Sequence, residues 1–219
     1  MKKITLGLAL LALTNAACQS NATTSTNKST NQVVINSNGN PPAAINHNSM
    51  NHDAMNHSDM QSSPNAANAP YDLQFLDTMI AHHTGAVDMA KPVTAQTQNK
   101  ELIAFAEKII ADQTREIAQM KEWREKWFAA KPAAMNMEMP GMRESMKMDM
   151  AKLGAANGED FDRMFVGMMI PHHAGAVDMA KEALTKAEHP EIKKLSEQII
   201  ESQQEEIRQM QNWKVKLAK

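Results

Sequence analysis

Histidine and methionine recur in this chain at spacings that could hold a soft metal ion. The first set is Met79-x-x-His82-His83, followed by Gly85, Ala86 and Met89, and it returns as Met169, His172, His173, Gly175, Ala176 and Met179. At about 100° per residue on a helix, Met79, His83, Ala86 and Ala90 share one face, and His82 and Met89 flank it. The adjacent rings then point about 100° apart, so each histidine of a pair is expected to serve a different partner. Gly85 and Ala86 leave room beside the rings for an ion or a close helix neighbour. A structural role competes with this one: a packed His-His pair hydrogen-bonded to Glu116 or Glu206.

The second set is His47-x-x-Met50-x-His52-x-x-Met55-x-His57-x-x-Met60. Its five-residue period lies in a polar stretch with no core to build, so packing does not account for it; low-complexity drift is the competing explanation. The third set is Met135, Met137, Met139, Met142, Met146, Met148 and Met150. Some of these could simply fill irregular gaps, but alternating Met-x-Met on a flexible backbone can bring two or three thioethers onto one ion.

Donor softness narrows the metal. Thioether suits Zn(II), Fe or Mg poorly; combined with imidazole it selects Cu(I), and Ag(I) by analogy, while imidazole also accepts Cu(II). Thioethers stay unprotonated in acid, so such sites keep working where histidine alone fails. Copper ions, Cu(I) foremost, are therefore the expected ligand. The bundle ligands are Met79, His82, His83, Met89 and Met120 with Met169, His172, His173, Met179 and Met210. Glu116 and Glu206 either ligate or orient a histidine.

Other chemistry has little support. The only cysteine is Cys18, which leaves neither a disulfide framework nor a thiolate site in the mature chain. A di-iron bundle needs paired Glu-x-x-His motifs, whereas Glu116 and Glu206 are followed three residues on by Gln119 and Gln209. No nucleophile triad, phosphate loop or nucleotide fingerprint occurs, and a net charge of −2 gives no reason to expect nucleic acid. The chain reads as a binding protein rather than an enzyme. Two rivals stay open: a copper-oxidase-like redox enzyme, and a partner-binding bundle whose methionines are oxidant-sensitive packing groups.

The elements that must position these residues come from an internal repeat. Phe75 through Lys91 returns as Phe165 through Lys181 at a constant offset of 90 residues, as from Phe75 to Phe165. The same offset relates Ile109, Gln113, Glu116, Met120 and Trp123 to Ile199, Gln203, Glu206, Met210 and Trp213. Each unit (71–130 and 159–219) is a helix pair, so the chain is expected to be all-α, a bundle of four antiparallel helices with a pseudo-two-fold between halves. Breaks are expected around Thr94 to Lys100 and at His189-Pro190, with a Met-rich crossover over 131–158. Leu102, Phe105, Ile109, Glu116, Met120, Trp123 and Trp127 form one stripe with Glu116 in its middle. A carboxylate there costs several kcal/mol unless a cation or donors satisfy it.

The N-terminus suggests the compartment. Lys2 and Lys3 precede an apolar run from Ile4 to Leu13, shorter than the roughly 20 residues of a membrane span and suited to a signal peptide over 1–17. Asn15-Ala16-Ala17-Cys18 resembles a bacterial lipobox, with Asn15 departing from the usual aliphatic residue. Outer-membrane anchoring through an acylated Cys18 is expected, with soluble secretion as the alternative; the lipid would be the only membrane contact. Residues 19–70, without an aromatic up to Pro70, read as a disordered tether.

Met139-Pro140-Gly141-Met142, Phe161-Asp162-Arg163-Met164-Phe165 and Met168-Met169-Ile170-Pro171-His172-His173-Ala174-Gly175-Ala176-Val177-Asp178-Met179-Ala180 closely resemble a bacterial ferritin-like domain-of-unknown-function family, number 305. The resemblance runs from about Tyr71 to Lys219, with Ala81 where the motif has proline. It implies a ferritin-like four-helix fold in the cell envelope and a role in copper binding or resistance. A periplasmic copper buffer or chaperone follows, working beside other copper-export or resistance proteins.

Overall fold

The computed structural model describes residues 60–218. The signal peptide, Cys18 and the tether ligands His47, Met50, His52, Met55 and His57 lie outside the described residues; Met60 lies inside them. The described chain is all-α. After a 3-10 turn at Ala66–Asn68 come α1 (Tyr71–Ala90), α2 (Val93–Gln96), α3 (Lys100–Phe128), α4 (Met142–Ser145), α5 (Met150–Ala155), α6 (Gly158–Lys186) and α7 (Pro190–Leu217). No described helix is long and apolar enough to cross a membrane.

Local signals set the ends of the long helices. Pro70 precedes α1, and Asn99 caps α3 by accepting from Leu102 N at 3.3 Å. Glu159 and Asp160 sit in the first turn of α6, where acidic side chains suit the helix dipole, and Pro190 opens α7. The first break, expected around Thr94 to Lys100, takes in the short helix α2.

Helix α1 packs along α3, α6 packs along α7, and α1 meets α6 to join the pairs. The shared core contains Phe75, Leu76, Ile109, Phe161, Phe165, Val166 and Ile199, all wholly buried. Equivalent carboxylates tie the loops of opposite halves. Asp72 accepts from the backbone N–H groups of Glu188 and His189 and binds the His189 ring at 2.5 Å; its counterpart Asp162 accepts from Asn99 Nδ2 at 3.1 Å.

The crossover differs from the flexible loop expected of it. It lies against the long helices, with Met137, Met139, Met142, Met146 and Met148 buried. Ala134 N donates to Asp77 Oδ2 and Asn136 N to Thr78 Oγ1, both at 2.8 Å, which pin its start to α1. Farther on, Gly141 takes φ +74° and comes so near α6 that a Cβ there would lie 2.6 Å from the Gly175 Cα. Only glycine offers both that backbone region and that approach. The methionines are ordered because burying their long apolar arms offsets the entropy of fixing the segment.

Candidate metal centre

Four imidazoles meet where α1 crosses α6. His82, His83, His172 and His173 are all 0% exposed. The His82 and His172 rings, mates under the 90-residue repeat, lie against one another with centroids 3.8 Å apart at 35°. Their neighbours turn away: His83 is 6.2 Å from His82, and His173 is 6.3 Å from His172. Each helix thus gives one ring to the centre and one to its own partner helix. His83 Nε2 lies 2.7 Å from Glu116 Oε2, and His173 Nε2 lies 2.9 Å from Glu206 Oε2.

These contacts settle where the ring lone pairs are. A carboxylate only accepts, so His83 and His173 donate from Nε2. Ser145 Oγ donates to Met142 O at 2.9 Å and therefore accepts from His82 Nε2 at 3.0 Å. In each neutral ring Nδ1 keeps the lone pair, and the Nδ1 atoms of His82, His83 and His173 are buried with no hydrogen-bond partner. Unpaired buried acceptors cost about 1–3 kcal/mol each, so a cluster of three calls for a function. A carboxylate on the far N–H is also how metal-bound histidines are commonly oriented.

Sulfur reaches the same place from the crossover. A Cβ built on Gly85 would lie 3.1 Å from the Met148 methyl, 3.2 Å from the Met146 methyl and 3.3 Å from His172 Nε2. Two thioethers, each sulfur one bond behind its methyl, and one imidazole nitrogen converge on the gap that this glycine leaves. At the matching Gly175 the gap is filled by α4: a Cβ there would be 2.4 Å from Ser145 Cβ.

Electrostatics keep the centre open to a cation. Burial, reinforced by the nearby His83 and His173, pushes the His82 pKa well below the ordinary imidazole range, so its lone pair stays available in mild acid. Burial alone would raise Glu206, but the hydrogen bond and charge of His173, together with Lys108, hold it below the usual carboxylate value. Lys108 reaches Glu206 Oε1 at 2.8 Å. Among the described residues no group of three or more His, Cys, Asp or Glu gathers to hold a metal. An ion at the centre would therefore need the thioethers as well.

The expected ligands divide accordingly. His82, His172, Met146 and Met148 are brought together, with His83, His173, Glu116 and Glu206 immediately behind. Met79, Met89, Met120, Met169, Met179 and Met210 are wholly buried members of the apolar core. Met135, Met150 and Met60 are partly buried against that core, Met60 on a strand of chain whose Ser63 N donates to Met135 O at 2.8 Å. Sequence reasoning missed Ser145, whose role depends on how the crossover docks. It also missed Lys108, which has no repeat mate: the position 90 residues on is Gln198.

Comparison with known proteins fits this picture. The profile of a family described as Domain of unknown function (DUF305) matches twice, over residues 13–124 and 125–214. The chain belongs to the DUF305 family. Both family boundaries fall elsewhere than the repeat units read from the sequence, the first match taking in most of the N-terminal region. Among solved structures, CopM in the Cu(I)-bound form is 40% identical, with a TM-score of 0.55 over 65% of this chain and 94% of that one. CopM in the Cu(II)-bound form is 43% identical, with a TM-score of 0.58 over 66% and 96%. A DUF305 fragment from Deinococcus radiodurans is 29% identical, with a TM-score of 0.58 over 68% and 97%. CopM has also been solved with silver bound. A short match, 43% identical over 49 residues, joins 22% of this chain to an uncharacterized protein of Acanthamoeba polyphaga mimivirus, of whose length the chain spans about a third (32%).

Proposed function

We propose that this DUF305 protein is an envelope copper-binding protein, a buffer or chaperone, that holds Cu(I) at the crossing of α1 and α6. The observation that carries this reading is the convergence of Met146, Met148 and His172 on the gap at Gly85, beside the His82 ring. Two thioethers with imidazole form a soft donor set that favours Cu(I) and Ag(I) over harder ions. The likeness to CopM, solved with Cu(I), Cu(II) and silver, supports the same choice.

The four long helices act as the ferritin-like bundle that fixes the imidazoles, while the crossover supplies sulfur. Glu116 and Glu206 orient His83 and His173 rather than competing for the ion. The His-x-x-Met tether gathers copper, and the signal sequence with Cys18 places the protein in the periplasm on a lipid anchor. Binding and release, not turnover, is the activity this reading assigns, in keeping with the likeness to the metal-bound CopM structures.

The test is a Cu(I) titration of the full mature chain carrying His47, His52 and His57→Ala, against a competing chelator. Tight binding at neutral pH should persist near pH 5, because thioethers do not titrate and His82 stays neutral as pH falls through the ordinary imidazole value. Adding His82→Ala and His172→Ala should abolish that competition. Cu(I) affinity unchanged by those two substitutions would refute the site, and oxygen consumption with turnover would restore the redox-enzyme reading.

A further inference from the structure

One side of the bundle is joined differently from the rest. Helix α1 packs along α3, α6 along α7, and α1 against α6. Helices α3 and α7 are joined instead by side chains that reach across. Lys108 Nζ meets Glu206 Oε1 at 2.8 Å, Trp213 Nε1 donates to Glu101 Oε2 at 3.2 Å, and the Phe105 and Trp213 rings lie 5.0 Å apart. These contacts set an antiparallel register. At about 1.5 Å of rise per residue it brings Gln113 and Gln203, mates under the repeat, to one level within about 3 Å.

Both glutamines are 3% exposed. Neither amide atom of Gln113 has a hydrogen-bond partner, nor has Gln203 Oε1. Amides buried in this way are satisfied by water, so polar groups run deep into this seam. Each glutamine stands one turn before the glutamate, Glu116 or Glu206, that holds a histidine of the centre. Elsewhere the core is filled by apolar side chains such as Phe75, Phe165 and Val166, all 0% exposed, which a bare ion crosses only at great cost.

The two ends of the seam differ in charge. One is spanned by the exposed Lys108, which binds Glu206 and Asp112, both at 2.8 Å. The same register sets Gln198 opposite Glu116 at the matching end, where Ser202 stands in place of Asp112. That end carries a neutral amide instead of an ammonium, and Glu116 is 13% exposed against 8% for Glu206.

We propose that the seam between α3 and α7 is the path by which a soft monovalent cation enters and leaves the centre. Gln113 and Gln203 line it, Glu116 and Gln198 form its open end, and Lys108 plugs the other. This rests on the copper reading and adds the route to it. Amide oxygens and the water they hold replace part of the ion's hydration, yet they are hard donors that bind Cu(I) weakly and pass it on to the thioethers. The Lys108 ammonium repels an incoming cation where the carboxylate of Glu116 attracts one. Both glutamines act on passage alone and are not ligands of the resting ion.

The experiment uses the full chain with His47, His52 and His57→Ala, loaded with one equivalent of Cu(I). Excess bicinchoninate, a coloured Cu(I) chelator, follows release; the reverse mixing follows loading, and equilibrium competition gives the affinity. Gln113→Leu with Gln203→Leu keeps the packed volume and removes unpaired polar atoms, so the fold is not at risk. Loading and release should slow by the same factor, about tenfold, with affinity unchanged, because only the barrier between fixed end states rises. Gln198→Lys, at an exposed position, should plug the open end and slow both rates in the same way. Lys108→Gln should open the closed end and raise both rates about twofold, as two equal routes add. Lys108→Gln together with Gln198→Lys should return them to the parent values. Rates unchanged by the glutamine pair or by Gln198→Lys, with affinity retained, overturn this inference alone and direct the path to the crossover face. A loss of affinity carried by faster release overturns it as well, by making the glutamines part of the resting site. A parent that fails to compete for Cu(I) removes the copper reading and the inference with it.

Discussion

Gly85 and Gly175 occupy the same position in the two copies of one helical motif, yet they receive different neighbours. A Cβ built on Gly85 would meet flexible methionine tips and His172 Nε2 at 3.1–3.3 Å, whereas one built on Gly175 would meet the Ser145 side chain and the Gly141 carbonyl at 2.4–2.8 Å. The crossover is present once, so it cannot serve both copies alike. It lays its α4 turn on one glycine and its thioethers on the other. A duplicated pair of helices thereby becomes a single asymmetric centre.

Substituting the glycines should expose that difference. Gly175→Ala is expected to have the largest effect on stability, about 3 kcal/mol, because the new methyl meets a β-carbon and a backbone carbonyl that cannot yield without lifting α4. Urea unfolding measures it, and a near-neutral result would mean that α4 does not pack as described. Loss of sulfur should act on the ion instead. Met146→Leu with Met148→Leu keeps the core volume, so stability should change by less than about 1.5 kcal/mol while Cu(I) affinity falls at least tenfold. An affinity that survived both changes would place the ion elsewhere. Gly85→Ala should be the mildest in stability, within about 1 kcal/mol, because better helix propensity offsets small shifts of two methyl groups. Competition with a Cu(I) chelator should still show weaker binding, about tenfold, since the methyl takes the space where the donors converge. If Gly85→Ala instead destabilised the chain as much as Gly175→Ala, the contrast between the two positions would collapse.

How much of this was readable beforehand depends on the range of the interaction. The pairing of His83 with Glu116 could be foreseen, because a carboxylate in an apolar stripe needs a partner and the repeat displays the same pair twice. The divergence of His82 from His83 followed from helix geometry. Gln113 was visible as a repeat match with Gln203, but nothing local marked its amide as unbonded. The crossover methionines were read as flexible because periodicity is uninformative for an irregular segment. Met146, Met148 and Ser145 acquire roles only through docking onto helices far away in sequence.

By itself the sequence determined the helices, their pairing by repeat and the softness of the donors, because each is written in composition or in spacing along one chain. Tertiary structure alone decided which ring nitrogen holds a lone pair, which glycine faces sulfur, and which of two equal-looking glutamates is already neutralised by Lys108. Those outcomes turn on distances between segments that the chain brings together only on folding, and no local periodicity records them.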